Sequence, residues 1–326
     1  MIFRIDAENV DDIDGQIEEY LKDIYPIISD KAVKEILASK FINKFLINDS
    51  LGIVDIYAIF QVPKYYLEDK PQILWELNIP AFESHVFQIY NNDTILIDTW
   101  PNVVGKPSTK TYTGNYRAFR LRNWPSWKDP DAGDSVAATP PGPGNPLGLF
   151  VVHYDENSLR YFHGTNKNYL LKSEQRALSH GCVRNDNGNI EKMKQFILKR
   201  VIKSDDLSGW LGSKKSMIYE IKDEDKFPVR IRYKTFDIKT DEFGVYIVFY
   251  KDVYNYSGRA KLSKFDDETL ITFSTLENIL EDYKVKHFSN QIPDEKIIPI
   301  IENLLSFHKY NEKYYFNELA AGQNSN

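Results

Sequence analysis

Cysteine is almost absent from this chain, since Cys182 is the single cysteine among 326 residues. An intrachain disulfide is therefore excluded, and so are the zinc sites that need several thiolate ligands. A lone cysteine is usually a small buried hydrophobic residue rather than a reactive one. Both interpretations stay open until the sequence neighbours of Cys182 are considered.

The chain also lacks a basic excess, long apolar runs and internal repeats. Its 41 basic and 47 acidic residues are mixed along the chain and give a net charge of −6, which argues against nucleic-acid binding. The longest apolar runs, such as Val245–Tyr250, span only a few residues, so no transmembrane helix is predicted. The first residues do not show the charged and then apolar pattern of a signal peptide.

Hydrophobic residues make up 42% of the chain and aromatic residues 14%, which is enough for a substantial folded core. Residues 1–75 predict a helical or mixed region, whose second amphipathic helix would include Phe41 and Phe45. Residues 76–256 are rich in strand-like runs, and residues 257–326 predict a helical extension. The expected fold class is therefore α+β.

Two hairpins and a long loop are predicted in the middle region. Turn signals at Asn91–Asp93 and Asp155–Asn157 each join two strand-like runs. The loop 117–148 lies between these hairpins. Its stretch Pro130–Pro146 carries five of the chain's 15 prolines, a density that excludes regular structure. It is either a functional lid, in which Trp124 and Trp127 would exclude water, or a surface connection.

The lone cysteine lies close in sequence to histidines, a glycine and an arginine. The motif consists of His163 and Gly164 and then, after fourteen further residues, of Ser179, His180, Gly181, Cys182 and Arg184. A thiol is a useful nucleophile only as the thiolate, which needs a base or a positive environment. One imidazole could take the proton, and Arg184 adds a fixed charge. A helix predicted at Asn189–Val201 would add its positive end.

Gly181 suits this chemistry because a glycine lets the backbone turn sharply and direct successive N–H groups towards an oxyanion. Three other interpretations remain open at this point. The cysteine and histidines could ligate a metal, one histidine could be a hydrogen-bonded core residue, and Ser179 could be a turn cap. The remaining histidines are interpreted as structural: His85, His153, His287 and His308.

The motif resembles the active-site signature of the L,D-transpeptidases, whose catalytic domain is of the YkuD type. Other segments agree with this family in order along the chain, and the resemblance covers about residues 76–256. These segments are Asn78–Tyr90, Val103–Pro107, Gly144–Gly148, Phe162–Asn166 and Phe227–Tyr254, the last as in the larger periplasmic members. The chain has Thr111-Tyr112-Thr113-Gly114 where smaller members have Thr-Pro-Thr-Gly.

The resemblance implies a mostly β catalytic domain, a YkuD-like β-sandwich, with helical N-terminal and C-terminal additions. It implies that Cys182 is the nucleophile, His163 the general base and the Gly164 carbonyl the third member of the triad. By the same resemblance, His180 and Gly181 would shape the oxyanion hole together with the Cys182 N–H, and Ser179 would belong to the same oxyanion and substrate side. Arg184 would anchor a carboxylate of the substrate or stabilise the local fold.

The resemblance implies that the protein is a cysteine peptidyltransferase, which cross-links donor and acceptor stem peptides of peptidoglycan through a thioester. Such an enzyme would act in cell wall biogenesis and in the determination of cell shape. Carbapenem acylation is expected, and no metal or organic cofactor is implied. Two alternatives stay open. One is an L,D-carboxypeptidase, either housekeeping or a secreted toxin, and the other a non-catalytic wall-binding scaffold. Since the substrate lies outside the cytoplasmic membrane, we expect export to the periplasm or cell envelope.

Overall fold

The computed structural model describes residues 1–6, 11–48, 53–129, 133, 135–258, 260–285 and 292–323. The helices are α1 (Ile13–Ile24), α2 (Asp30–Ala38), α3 (Asn187–Phe196), α4 (Leu207–Gly212), α5 (Leu276–Val285), α6 (Asp294–Phe307) and α7 (Phe316–Gln323). The strands are β1 (Ile2–Arg4), β2 (Phe41–Asn48), β3 (Ile53–Ile59), β4 (Gln72–Asn78), β5 (Glu83–Tyr90), β6 (Asp93–Gly105), β7 (Gly114–Arg117), β8 (Arg120–Asn123), β9 (Phe150–Asp155), β10 (Arg160–His163), β11 (Ala177–Ser179), β12 (Val183–Asn185), β13 (Met217–Glu220), β14 (Pro228–Lys234), β15 (Phe236–Asp241), β16 (Gly244–Phe249), β17 (Ile271–Thr272) and β18 (Lys313–Tyr315).

The N-terminal region combines two capped helices with a three-stranded antiparallel sheet in the order β1-β3-β2. Asp12 and Ser29 cap α1 and α2 by accepting hydrogen bonds from backbone N–H groups of the first turn. The predicted helix through Phe41 and Phe45 is wrong, because α2 ends at Ala38 and both residues lie in β2. Residues four apart share one face in a helix and in a strand alike, so their spacing could not separate the two.

A twelve-stranded curled sheet forms the middle of the molecule, with the main order β13-β8-β9-β10-β12-β6-β5-β4-β14-β17. Both predicted hairpins are present in it, as the antiparallel pairs β5–β6 and β9–β10. Asn91 and Asn92 make the first turn with positive φ angles of 52° and 69°. The expected α+β class, a mostly β middle region with helical additions, is confirmed.

Two main hydrophobic clusters underlie the sheets. The larger one joins the N-terminal helices to the large sheet and to α3, which continues as a π-helical turn at Ile197–Val201. The second is built from β15, β16 and helices α5, α6 and α7. The strands β15 and β16 therefore pack with the helices that follow residue 257. None of the described helices is both long and apolar enough to span a bilayer.

Candidate active site

Two neighbouring parallel strands carry the predicted base and nucleophile. In the β10–β12 pair, Phe162 lies opposite Val183 and His163 lies opposite Arg184. Side chains alternate along a strand, so Phe162 and Val183, both fully buried, share the face that packs in the core. His163 and Arg184 therefore project from the opposite face, as does Cys182, which immediately precedes β12.

That face forms the floor of a cavity of about 540 Å³. Five of the predicted site residues line it: His163, Ser179, His180, Cys182 and Arg184. Gly164 and Gly181 adjoin these residues in the chain. The structure thus brings the separated parts of the motif together around one opening.

The turn before Cys182 is fixed by a glycine and a serine. Gly181 has a φ angle of 109°, and a Cβ atom there would lie 2.3 Å from the Nε of Arg160. The Ser179 hydroxyl accepts from the Gly181 N–H at 3.1 Å and donates to the Cys182 carbonyl at 2.5 Å. The Gly181 N–H is therefore engaged within the turn. Among the described residues the Cys182 N–H has no hydrogen-bond partner.

His163 is buried, with 3% of its surface exposed. Burial and the nearby charge of Arg184 lower the pKa of His163 to about 3, although the carbonyl groups of Gly164 and Leu147 favour the protonated ring. Nδ1 has no partner within hydrogen-bonding geometry among the described residues. The imidazole is therefore neutral at neutral pH and able to accept a proton.

The segment after His163 is held by a side chain that the sequence analysis did not identify. Asn187, the first residue of α3, accepts from the Thr165 N–H at 3.0 Å and donates to the Thr165 carbonyl at 2.7 Å. A Cβ atom on Gly164 would lie 2.3 Å from the Oδ1 of Asn187. The absence of a side chain at Gly164 thus lets Asn187 approach and hold the turn that follows His163.

The Cys182 thiol is half-buried, and burial raises its pKa above the ordinary value. Hydrogen bonding with Tyr161 and the charges of Arg160 and Arg184 act in the opposite direction and lower the thiol pKa, but they are outweighed. The thiol and the imidazole are consequently both uncharged in the resting protein at neutral pH. A thiol in this state can act as a nucleophile only if a base removes its proton.

Further cavity residues were missed or interpreted differently from the sequence. Tyr161 lies two residues before His163, so strand alternation was a signal that could have identified it. His153, interpreted as structural, also lines the cavity. Of the other histidines, His308 stacks on Phe249 with ring centroids 4.1 Å apart. His287 lies outside the described residues.

The proline-rich loop contributes one wall of the cavity through Trp127, Lys128, Pro146 and Leu147. Trp127 pairs with Thr139 in an isolated β-bridge, which clamps the two arms of the loop together. The buried Asn145 amide donates to the carbonyl groups of Pro125, Thr139 and Pro140 at 2.9, 3.3 and 3.0 Å. The described parts of the loop therefore belong to the site. Of the two tryptophans predicted to exclude water, Trp127 lines the cavity and Trp124 does not.

The cavity is strongly positive although the chain as a whole is acidic. Its lining includes the four cationic side chains Arg122, Lys128, Arg160 and Arg184. None of the lining residues in the described part of the chain is Asp or Glu. A search of the same residues for three or more His, Cys, Asp or Glu side chains that could hold a metal finds no such group. The electrostatics favour an anionic ligand.

Residues 78–214 match the family model of YkuD, the L,D-transpeptidase catalytic domain. The YkuD resemblance is thus confirmed. The matched segment extends from the end of β4 to the residues after α4, and it includes every residue of the predicted motif. No curated protein matches the chain significantly in sequence.

Several solved structures resemble the chain at low identity. The L,D-transpeptidase from Mycobacterium smegmatis is 12% identical over 63% of this chain and 86% of its own, with a TM-score of 0.30. L,D-transpeptidase 3 from Mycobacterium tuberculosis, solved with a faropenem-derived adduct, is 12% identical over 62% and 83%, with a TM-score of 0.31. A mutant of the helical cell shape determining protein Pgp2 from Campylobacter jejuni is 13% identical over 79% and 68%, with a TM-score of 0.29.

Proposed function

We propose that the chain is a cysteine peptidyltransferase that forms L,D cross-links between peptidoglycan stem peptides. The observation that carries this proposal is the placement of Cys182 and His163 on one face of adjacent strands, over a common cavity, inside the YkuD-type domain. A neutral imidazole beside a protonated thiol is a base and nucleophile ready for general-base catalysis.

In the first half-reaction, His163 accepts the thiol proton as the Cys182 sulfur attacks the carbonyl carbon of an L-centre in the donor stem. The Cys182 N–H, which has no partner among the described residues, donates to the developing oxyanion. The carbon–nitrogen bond then breaks, and the leaving D-alanine takes the proton from the His163 imidazolium. A thioester on Cys182 remains.

In the second half-reaction, the amine of an acceptor stem attacks the thioester carbonyl and gives a proton to His163. The carbon–sulfur bond breaks, and the proton returns to the Cys182 sulfur. Trp127 and the neighbouring loop residues wall the cavity, so they reduce the access of water that would otherwise hydrolyse the thioester.

The test combines covalent labelling with product analysis on the full chain. Incubation with imipenem should add the mass of one ligand, and Cys182→Ala should abolish that adduct. A tetrapeptide stem should release D-alanine, and an added acceptor stem should yield the cross-linked product. His163→Gln should lower kcat/KM by about a hundred-fold or more, as loss of a general base does. The matched control is His308→Gln, which changes a histidine that stacks on Phe249 of the second hydrophobic cluster.

Each alternative gives a different result in this experiment. D-alanine release that never yields a cross-linked product would identify an L,D-carboxypeptidase and overturn the transferase proposal. Stem-peptide binding without a labelled Cys182 or any release would identify a wall-binding scaffold. A Cys182→Ser chain that releases D-alanine at nearly the wild-type rate would overturn the thioester mechanism.

We further propose that the protein acts in the periplasm or cell envelope, because its proposed substrate is located there. A single cysteine is compatible with an oxidising compartment, since it has no partner in the chain for an incorrect disulfide. Fractionation of the native host should recover the protein with envelope markers. Recovery with cytosolic markers alone would overturn this location.

A further inference from the structure

One histidine in the cavity has unused hydrogen-bonding capacity. His153 on β9 has only 6% of its surface exposed, and neither ring nitrogen has a partner among the described residues. Its ring packs against those of Tyr161 and Phe119, at centroid distances of 4.9 and 5.9 Å. Buried polar groups are normally satisfied, so an unpartnered ring that lines a cavity indicates a ligand contact.

An arginine with similar unused capacity lies on the next strand. Arg122 on β8 lines the same cavity, and its Nε is buried without a partner. Its Nη2 donates to the Ser126 carbonyl at 3.3 Å, and no carboxylate within the described residues pairs with its guanidinium. This charge therefore faces the cavity without a neutralising group from the chain.

The sheet register places these two side chains together. Arg120 lies opposite His153 and Arg122 lies opposite Val151, so Arg122 is the diagonal neighbour of His153. Burial and the charges of Arg122 and Arg120 lower the pKa of His153 to about 4. The ring is therefore neutral at neutral pH, with one N–H that can donate beside the guanidinium.

We propose that Arg122 and His153 form a carboxylate-binding subsite of the cavity. A carboxylate accepts from the guanidinium and from the imidazole N–H at once, and it supplies the charge that the cavity lining lacks. This subsite rests on the proposed function, in which the ligand is a stem peptide with several carboxylates. It would anchor one of them while another part of the same peptide reaches Cys182.

The distance across the sheet suits a single ligand. His153 lies opposite Tyr161, and continuing the β10–β12 register by one residue puts Tyr161 beside Cys182. Two strand spacings, about 10 Å in all, therefore separate His153 from the nucleophile. A peptide of two or three residues spans that distance, at roughly 3.3 Å per extended residue.

The experiment measures the affinity of a tetrapeptide stem by calorimetry for the full chain carrying Cys182→Ala, which prevents turnover. Arg122→Gln and His153→Phe should each weaken binding by about 10- to 100-fold, as expected when a charge-assisted hydrogen bond is lost. The matched control is Arg120→Gln. It removes the same charge two residues away on β8, where Arg120 pairs with Glu220 at 2.5 Å outside the cavity lining.

Two modified peptides identify the carboxylate. One carries an amide at the terminal D-alanine, and the other carries an amide at the diaminopimelate carboxyl group. The amide at the recognised position should weaken binding to the Cys182→Ala parent and remove the difference between that parent and its Arg122→Gln derivative. Equal affinity of the parent and of its Arg122→Gln and His153→Phe derivatives for the unmodified stem would overturn the subsite while leaving the proposed function intact.

Two further results separate the remaining cases. If no stem binds the Cys182→Ala chain and the chain with Cys182 releases no D-alanine, the proposed function fails and the subsite fails with it. If His153→Phe does not fold, as judged by its thermal melt, the stem-peptide affinities of Arg122→Gln and Arg120→Gln are sufficient to test the subsite. Equal weakening by these two arginine variants would show a general effect of charge and overturn the subsite.

Discussion

His163 lies directly opposite Arg184 in the parallel pair of strands β10 and β12. A fixed positive charge is thereby held beside the proposed base, and together with burial it lowers the pKa of His163 to about 3. The neighbouring thiol has a raised pKa. In the proposed reaction the two groups would therefore exchange a proton as the thiol attacks, not before it.

The first prediction concerns the pH dependence of Arg184→Gln. Removing the positive charge should raise the pKa of His163 towards its ordinary value, because Arg184 disfavours the protonated ring. The acidic limb of the kcat/KM profile should therefore move to higher pH, and activity should be lost earlier on acidification. The measurement is kcat/KM for D-alanine release from pH 2.5 to pH 10, so that the acidic limb of both proteins falls within the range. An acidic limb at the same pH in both proteins would contradict the effect of Arg184.

The second prediction concerns Tyr161→Phe and the reactivity of the thiol. Hydrogen bonding with Tyr161 lowers the pKa of Cys182, so removal of the hydroxyl should raise that pKa further. The rate of alkylation by iodoacetamide, measured against pH, should rise at a higher pH than in wild type. Tyr310→Phe is the control, since Tyr310 is half exposed in the C-terminal region. Identical alkylation profiles for the two variants would exclude a role for the Tyr161 hydroxyl.

The third prediction compares two glycines. In Gly181→Ala, the new Cβ would meet the Arg160 guanidinium at 2.3 Å, and the residue would keep a φ angle of 109° that disfavours side chains. The cost should be on the order of 1–3 kcal/mol of unfolding free energy. Acylation by a carbapenem should slow as the turn shifts. Gly212→Ala is the control, because a Cβ added at Gly212 would have no atom within 4 Å. Denaturant unfolding of both variants tests the difference.

The fourth prediction links His153 to acid stability. Its pKa is about 4 in the folded chain and about 6.5 in an unfolded chain. The unfolded state therefore binds the proton first as the pH falls below about 6.5, so acidification destabilises the fold. Between pH 7.5 and pH 5 this histidine should account for a loss of about 2 kcal/mol of unfolding free energy.

His153→Phe should consequently lose less stability than wild type over the same pH interval. The measurement is the free energy of unfolding in urea at pH 7.5 and pH 5. Equal losses in the two proteins would show that His153 takes up its proton at its ordinary pKa in the fold.

The motif and the hairpins were predictable because their signals are local. Asn91 and Asn92 tolerate the positive φ angles of the turn that they make, and Gly181 is required by the turn that precedes Cys182. The helix expected through Phe41 and Phe45 was a wrong prediction, because residues four apart lie on one face both in a helix and in a strand.

The role of His153 in the cavity could not be predicted from its sequence neighbours. Its position depends on which residues lie opposite it on β8 and β10, and this register is a property of the assembled sheet. The same holds for Asn187, whose contact with Thr165 joins residues 22 positions apart. Contacts of this kind leave no periodic signal.

The shared hydrophobic cluster determines where the chain can be cut. Helix α1 is attached to the segment after α3, where Lys199 meets Asp23 at 2.6 Å, and the Tyr25 hydroxyl donates to Gln88 on β5. A fragment restricted to residues 78–214 would expose that apolar surface to water. It would also lack β14 and all of β4 except Asn78, so β5 would lose that partner strand. Recombinant pieces of this protein should therefore keep the N-terminal region and continue beyond β14, and shorter ones should aggregate.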